Sequence, residues 1–161
     1  MTIDDGVNKL FYASKSEDNM FILKNEIQFD MAHYLSGYKG KCANIHGHRY
    51  RLIVKIISKT LHQEGQLRGM VDDFGNIKKA LKEIEDFFDH KLILEDNEEG
   101  RSIGESLSQM PNNFKIVYVP YRTTAEEMSR HIFNMLKEKG LKVYEVELFE
   151  TPSNSCIYKE D

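Results

Sequence analysis

The sequence predicts an α+β fold in which an antiparallel sheet carries helices on one face. Three observations lead there. Two long segments near the start alternate apolar and polar residues, two capped amphipathic helices follow, and a last alternating segment closes the chain. The 161 residues suit a single domain over 1–161, since no repeat, low-complexity tract or Pro/Gly-rich linker divides them.

The first twenty residues read as loosely organised. From Phe21 to His33 one parity runs Phe21, Leu23, Asn25, Ile27, Phe29, Met31, His33, and the other is mostly polar. That alternation marks a strand with one buried face. His46 to Ile57 repeats it, with His46, His48, Tyr50, Leu52, Val54 and Ile56 opposite Arg49, Arg51 and Lys55. Asp73 can cap a helix whose face is Phe74, Ile77, Leu81, Ile84 and Phe88, ending near Asp89-His90. Residues 95–113 are polar and read as a long loop insertion with some local helix. Phe114 to Val119 reads as a short strand. Thr124 and Glu127 form a capping box for a second helix, with Met128, His131, Ile132, Met135 and Leu136 as its stripe and Gly140 as its stop. A long strand follows to about Glu150, and Ile157-Tyr158 can add a short one.

Composition narrows the function classes. A net charge of -4 argues against nonspecific nucleic-acid binding, and no stretch approaches the roughly 18 apolar residues that span a bilayer. The acidic Met1-Thr2-Ile3-Asp4-Asp5-Gly6 lacks the basic and hydrophobic regions of a secretory signal. Cys42 and Cys156 suggest no disulfide framework. A cytoplasmic protein with neither membrane nor nucleic-acid partner is the expectation.

His46 and His48 flank Gly47, and in a strand that spacing puts both imidazoles on one face. His33 has the matching parity on its own strand, so the three rings can converge if the strands pair. Three neutral imidazoles with an open fourth position suit a catalytic zinc, which would polarise a bound oxygen. On the residues alone, three ordinary half-buried histidines remain the alternative. His62, in a polar loop, and His131, on a helix stripe, read as structural.

Cys42 lies four residues before His46. It could be a fourth zinc ligand, a catalytic thiolate favoured by nearby cations, or a bland loop cysteine. His90 could simply be a histidine at a helix C-terminus. Glu150 shares a strand face with Tyr144, Val146 and Leu148, where a carboxylate needs partners, unless the strand ends at Phe149 and leaves it exposed.

Together, Phe29-Asp30-Met31-Ala32-His33, Cys42-x-x-x-His46-Gly47-His48, Met70-Val71-Asp72-Asp73-Phe74, Asp89-His90, Thr124-Ala125-Glu126 and Glu150-Thr151…Cys156-Ile157-Tyr158 resemble the 6-pyruvoyl-tetrahydropterin synthase family. The resemblance spans about Phe21 to Tyr158 and is nearest to the bacterial queuosine-pathway branch. It implies a tunnelling fold: a four-stranded antiparallel sheet with two helices on one side, closed into a barrel by three copies, with trimers stacking as hexamers. It implies Zn2+ on His33, His46 and His48, Cys42 as proton acceptor, and Asp89 and His90 as its relay. Glu150 would anchor the pterin and share in the relay, and Glu126 would also touch the ring. The implied reaction converts 7,8-dihydroneopterin triphosphate to 6-carboxy-5,6,7,8-tetrahydropterin, releasing acetaldehyde and triphosphate. Departures from the family pattern include Met31 in place of alanine and Thr123 in place of a common proline. The segment between His90 and Thr124 is also longer. The runner-up is the pyruvoyl-forming enzyme, whose Cys-to-His spacing is typically wider. A non-catalytic pterin- or zinc-binding protein would not need Cys42, Asp89 and His90 together.

Overall fold

The computed structural model describes residues 19–161, so the segment read as loosely organised lies almost wholly outside the described residues. Strands β1 (Phe21–His33) and β2 (His46–Ser58) pair antiparallel along their full length, from Phe21↔Ser58 to His33↔His46. Strand β5 (Val143–Thr151) pairs antiparallel with β2, and β6 (Asn154–Tyr158) with β5. The register puts Phe29, Met31, Tyr50, Leu52, Val54, Ile56, Val146 and Leu148 on one buried face.

Helices α1 (Phe74–Phe88) and α3 (Ala125–Glu138) cover that face, and α2 (Glu98–Ser108) lies between them in the chain. Their caps are those the sequence signals. The Asp73 side chain accepts from Gly75 N–H, and Thr124 Oγ1 accepts from Glu127 N–H. Gly140, at φ 82°, turns the chain after α3 in the left-handed region that glycine enters without Cβ strain. From α1, Ile77, Leu81, Ile84 and Phe88 enter the core, and from α3, Met128, Ile132, Phe133 and Leu136.

Two expectations need correction. The sheet has six strands, in the order β4-β3-β1-β2-β5-β6, rather than four. Beyond the four are β3 (Lys91–Glu95), parallel to β1 through Met31↔Lys91 and Ala32↔Leu92, and β4 (Ile116–Val119), the short strand expected over Phe114 to Val119, parallel to β3. A five-residue strand buried at Ile93 and Leu94 reads as a short apolar run without alternation. The segment read as a long loop with some local helix is helical over most of its length, as α2 (Glu98–Ser108), capped by Asn97, whose side chain accepts from Gly100 N–H. Gly100 and Gly104 are buried where Cβ atoms would collide with Glu95 O and Tyr118 Oη, so α2 seats closely against β3 and β4. No helix among the described residues is long and apolar enough to cross a membrane.

Candidate metal centre

The β1–β2 register brings the three histidines together. His33 and His46 face each other across the pair, and His48 follows two residues on, opposite Met31. Their ligand atoms all lie within 4.8 Å of one another, a group that could hold a metal ion. The group does not include Cys42.

Two of the rings are oriented by backbone carbonyls. His33 Nδ1 lies 2.9 Å from Thr123 O and 3.2 Å from Thr123 Oγ1, and His46 Nδ1 lies 2.7 Å from Asn44 O. A carbonyl can only accept, so each Nδ1 carries a proton, and in the neutral ring Nε2 is left with its lone pair. Burial lowers the His33 pKa to about 4, which keeps that ring neutral near pH 7. Neutral, oriented imidazoles are the donor set that zinc takes.

Strand β5 runs through Glu150 to Thr151, so Glu150 is no frayed end. Its Oε1 stands 3.6 Å from His33 Nε2, 4.0 Å from His48 Nε2 and 3.3 Å from Tyr50 Oη. Glu150 also borders a cavity of about 340 Å³ lined by Leu35, Thr124, Glu126 and Cys156. Two of the acidic residues singled out in the sequence therefore border one cavity, and Glu150 shares a second, of about 500 Å³, with His48.

Cys42 sits half-buried in a 3-10 turn, Lys41–Ala43, and its carbonyl accepts from Leu35 N–H at 2.8 Å. Asp89 and His90 are elsewhere. Asp89 Oδ1 accepts from Asp30 N–H at 2.9 Å, and Asp89 Oδ2 lies 2.7 Å from His90 Nδ1. The Asp30 amide, with the imidazole, holds the Asp89 carboxyl below its usual pKa, and Asp89 in turn raises that of His90. His90 is left-handed at φ 53° and largely exposed. Its companions Asp30 and Arg49, paired at 2.9 Å, belong to the strand parity opposite the histidine cluster. Among the described residues no hydrogen bond or ion pair joins Asp89 or His90 to Cys42 or to the three histidines. The fold thus assembles the histidines with Glu150, and His90 meets the cluster only as a co-lining residue, with His48, Asp30 and Arg49, of a cavity of about 660 Å³.

Sequence reasoning missed the supporting residues Tyr50, Thr123 and Asn44. Tyr50 shares the parity of His46 and His48, a signal that was present; Thr123 and Asn44 act through loops that the pattern does not place.

The family model described as 6-pyruvoyl tetrahydropterin synthase matches residues 22–161. The chain belongs to the 6-pyruvoyl tetrahydropterin synthase family. Among curated members, the Haemophilus influenzae protein named 6-carboxy-5,6,7,8-tetrahydropterin synthase is 44% identical over 143 residues, covering 88% of this chain and 100% of its own length. The Aquifex aeolicus protein of the same name is 34% identical, covering 75% of this chain and 77% of its own. An uncharacterised protein from Wolinella succinogenes shares the fold at a TM-score of 0.74 and 19% identity, over 89% of this chain and 99% of that one. The Caenorhabditis elegans 6-pyruvoyl tetrahydropterin synthase does so at 0.61 and 24%, over 89% and 97%.

Proposed function

We propose that this chain is a zinc-dependent 6-carboxy-5,6,7,8-tetrahydropterin synthase of queuosine biosynthesis, a lyase acting on 7,8-dihydroneopterin triphosphate. The observation that carries the reading is the convergence of three imidazoles with the Glu150 carboxylate, which borders a cavity. The 44% identity to a relative of that name supports the choice of product.

His33, His46 and His48 would hold the ion, through Nε2 in His33 and His46, because Nδ1 of each is already committed to a carbonyl. Bound there, zinc supplies Lewis acidity toward the hydroxyls of the substrate side chain. The protein's own groups do the rest. Glu150 accepts hydrogen bonds from the ring N–H groups of the pterin, and charge-assisted bonds of this kind are strong in a half-buried site. Glu126, across the same cavity, bounds the ring. Cys42, as thiolate, removes the proton from the carbon bearing the side-chain hydroxyl, and His90, held by Asp89, returns protons as bonds rearrange.

That last role needs a second copy. Asp89 and His90 make no hydrogen bond or ion pair with Cys42 of their own copy, so in this reading they serve the Cys42 of a neighbour. The sheet edges support such an assembly. Beyond Met31 and Ala32, where β3 pairs, β1 has no partner among the described residues along its outer edge, and β6 ends the sheet on the other side. Open edges invite pairing, and closure by three copies removes them, as a trimer or a hexamer. The deciding assay incubates the zinc-loaded protein with 7,8-dihydroneopterin triphosphate. Acetaldehyde release supports the reading, and triphosphate release without acetaldehyde favours the pyruvoyl-forming reaction.

A further inference from the structure

We infer that the Tyr50 hydroxyl is a positioning group that ties the Glu150 carboxylate to the state of the histidine cluster. The inference rests on the reading of Glu150 as the pterin anchor.

Tyr50 is fully buried in the middle of the β2 run that carries His46 and His48. Its ring stacks on Phe29 with centroids 5.5 Å apart, and meets the rings of His33 and His48 edge-on at 6.1 and 5.7 Å. That packing calls for an aromatic ring but not for a hydroxyl. A hydroxyl in such a place must find partners, because a buried polar group without one is costly. It has two: His33 Nε2 at 3.2 Å and Glu150 Oε1 at 3.3 Å.

The phenol has one proton to donate, and both neighbours are acceptors. His33 Nδ1 donates to the Thr123 carbonyl, so Nε2 presents a lone pair. Glu150 presents a carboxylate oxygen. In the metal-free protein the two compete for the same proton. When an ion occupies the Nε2 lone pair, the competition ends and Glu150 is the remaining acceptor. The hydroxyl then holds the carboxylate in place, ready for the ring N–H donors of a pterin. Affinity for the pterin ring should therefore rise with metal loading, with most of the rise carried by Tyr50.

The test uses 6-methyl-7,8-dihydropterin, which has the ring but no side-chain hydroxyl through which to reach the ion. Its affinity is measured by fluorescence for the full-length protein, zinc-loaded and zinc-stripped, as wild type and as Tyr50→Phe. Wild type should bind about tenfold or more tighter with zinc, the range expected for one hydrogen bond to a charged group. Tyr50→Phe should lose most of that ratio while zinc content and melting temperature stay near wild type. In a Glu150→Gln background, Tyr50→Phe should add no further loss, since Tyr50 acts through Glu150. A folded Tyr50→Phe protein that keeps the full ratio, additive losses in the double variant, or a wild-type ratio near one each overturns the role of Tyr50 and leaves the proposed reaction standing. Failure of wild type to bind the dihydropterin in either state overturns both. Should Tyr50→Phe not fold, 3-fluorotyrosine at position 50 keeps the shape and strengthens the donor. The ratio should then rise, and an unchanged or smaller ratio overturns the inference.

Discussion

The Nδ1 atom of His33 lies 2.9 Å from the carbonyl oxygen of Thr123, although the two residues are 90 positions apart in the chain. This contact fixes the tautomer of the one fully buried histidine of the cluster. It also ties β1 to the turn that starts α3, because Thr123 Oγ1 donates to Tyr34 O at 3.0 Å.

The first prediction follows from that contact. Thr123→Val keeps the carbonyl but removes the hydroxyl that lies 3.2 Å from Nδ1. Zinc affinity, measured by competition with a chromophoric chelator, should fall by about tenfold, the lower end of the range for groups that orient metal ligands. Unchanged affinity would leave the hydroxyl without a role in holding the ring.

Stability of the metal-free protein should depend on pH through His33. Its folded pKa of about 4 lies below the ordinary value of 6.5. Between these values the unfolded chain binds more protons than the folded one, so lower pH favours unfolding. The stabilisation is present above about pH 6.5 and drains away as pH falls toward 4. Melting scans of the metal-stripped protein should show this decline. His33→Asn should flatten it, and an equally steep decline in that variant would assign it to other groups.

Much of this was legible in the sequence, for physical reasons. Strands β1, β2 and β5 have one buried and one wetter face, so their alternation survives in the residues, and the parity of His33, His46 and His48 survives with it. Asp73, Thr124 and Gly140 punctuate α1 and α3 by local chemistry that needs no tertiary context. Strand β3 was hidden because its pairing is parallel and its five residues are too few to alternate visibly. The extent of helix α2 was hidden because its polar face and two buried glycines weaken the apolar stripe, although the Asn97 cap was a signal. The bonding of Asp89 to the Asp30 amide and to His90 rather than to the cluster could not be read, since it depends on where α1 delivers the chain.

Cys42→Ala separates the roles the sequence left open. With Cys42 outside the histidine cluster, the variant should keep zinc and fold while turnover falls by orders of magnitude. A zinc-depleted Cys42→Ala protein would make the thiol a ligand instead.

Assembly has its own check. Cys42→Ala and His90→Ala should each be inactive alone and regain partial activity when refolded together, because some mixed sites then hold both groups. Light scattering should report a trimer or hexamer. A fully active monomer would contradict shared sites, and absence of complementation in a confirmed oligomer would place the relay elsewhere.

The most direct measurement is the mass of the pterin formed from 7,8-dihydroneopterin triphosphate by the zinc-loaded protein, with the zinc-stripped protein alongside. If the proposed function holds, the loaded protein forms 6-carboxy-5,6,7,8-tetrahydropterin and the stripped one leaves the substrate unchanged. A pyruvoyl product, or equal conversion without metal, would contradict it.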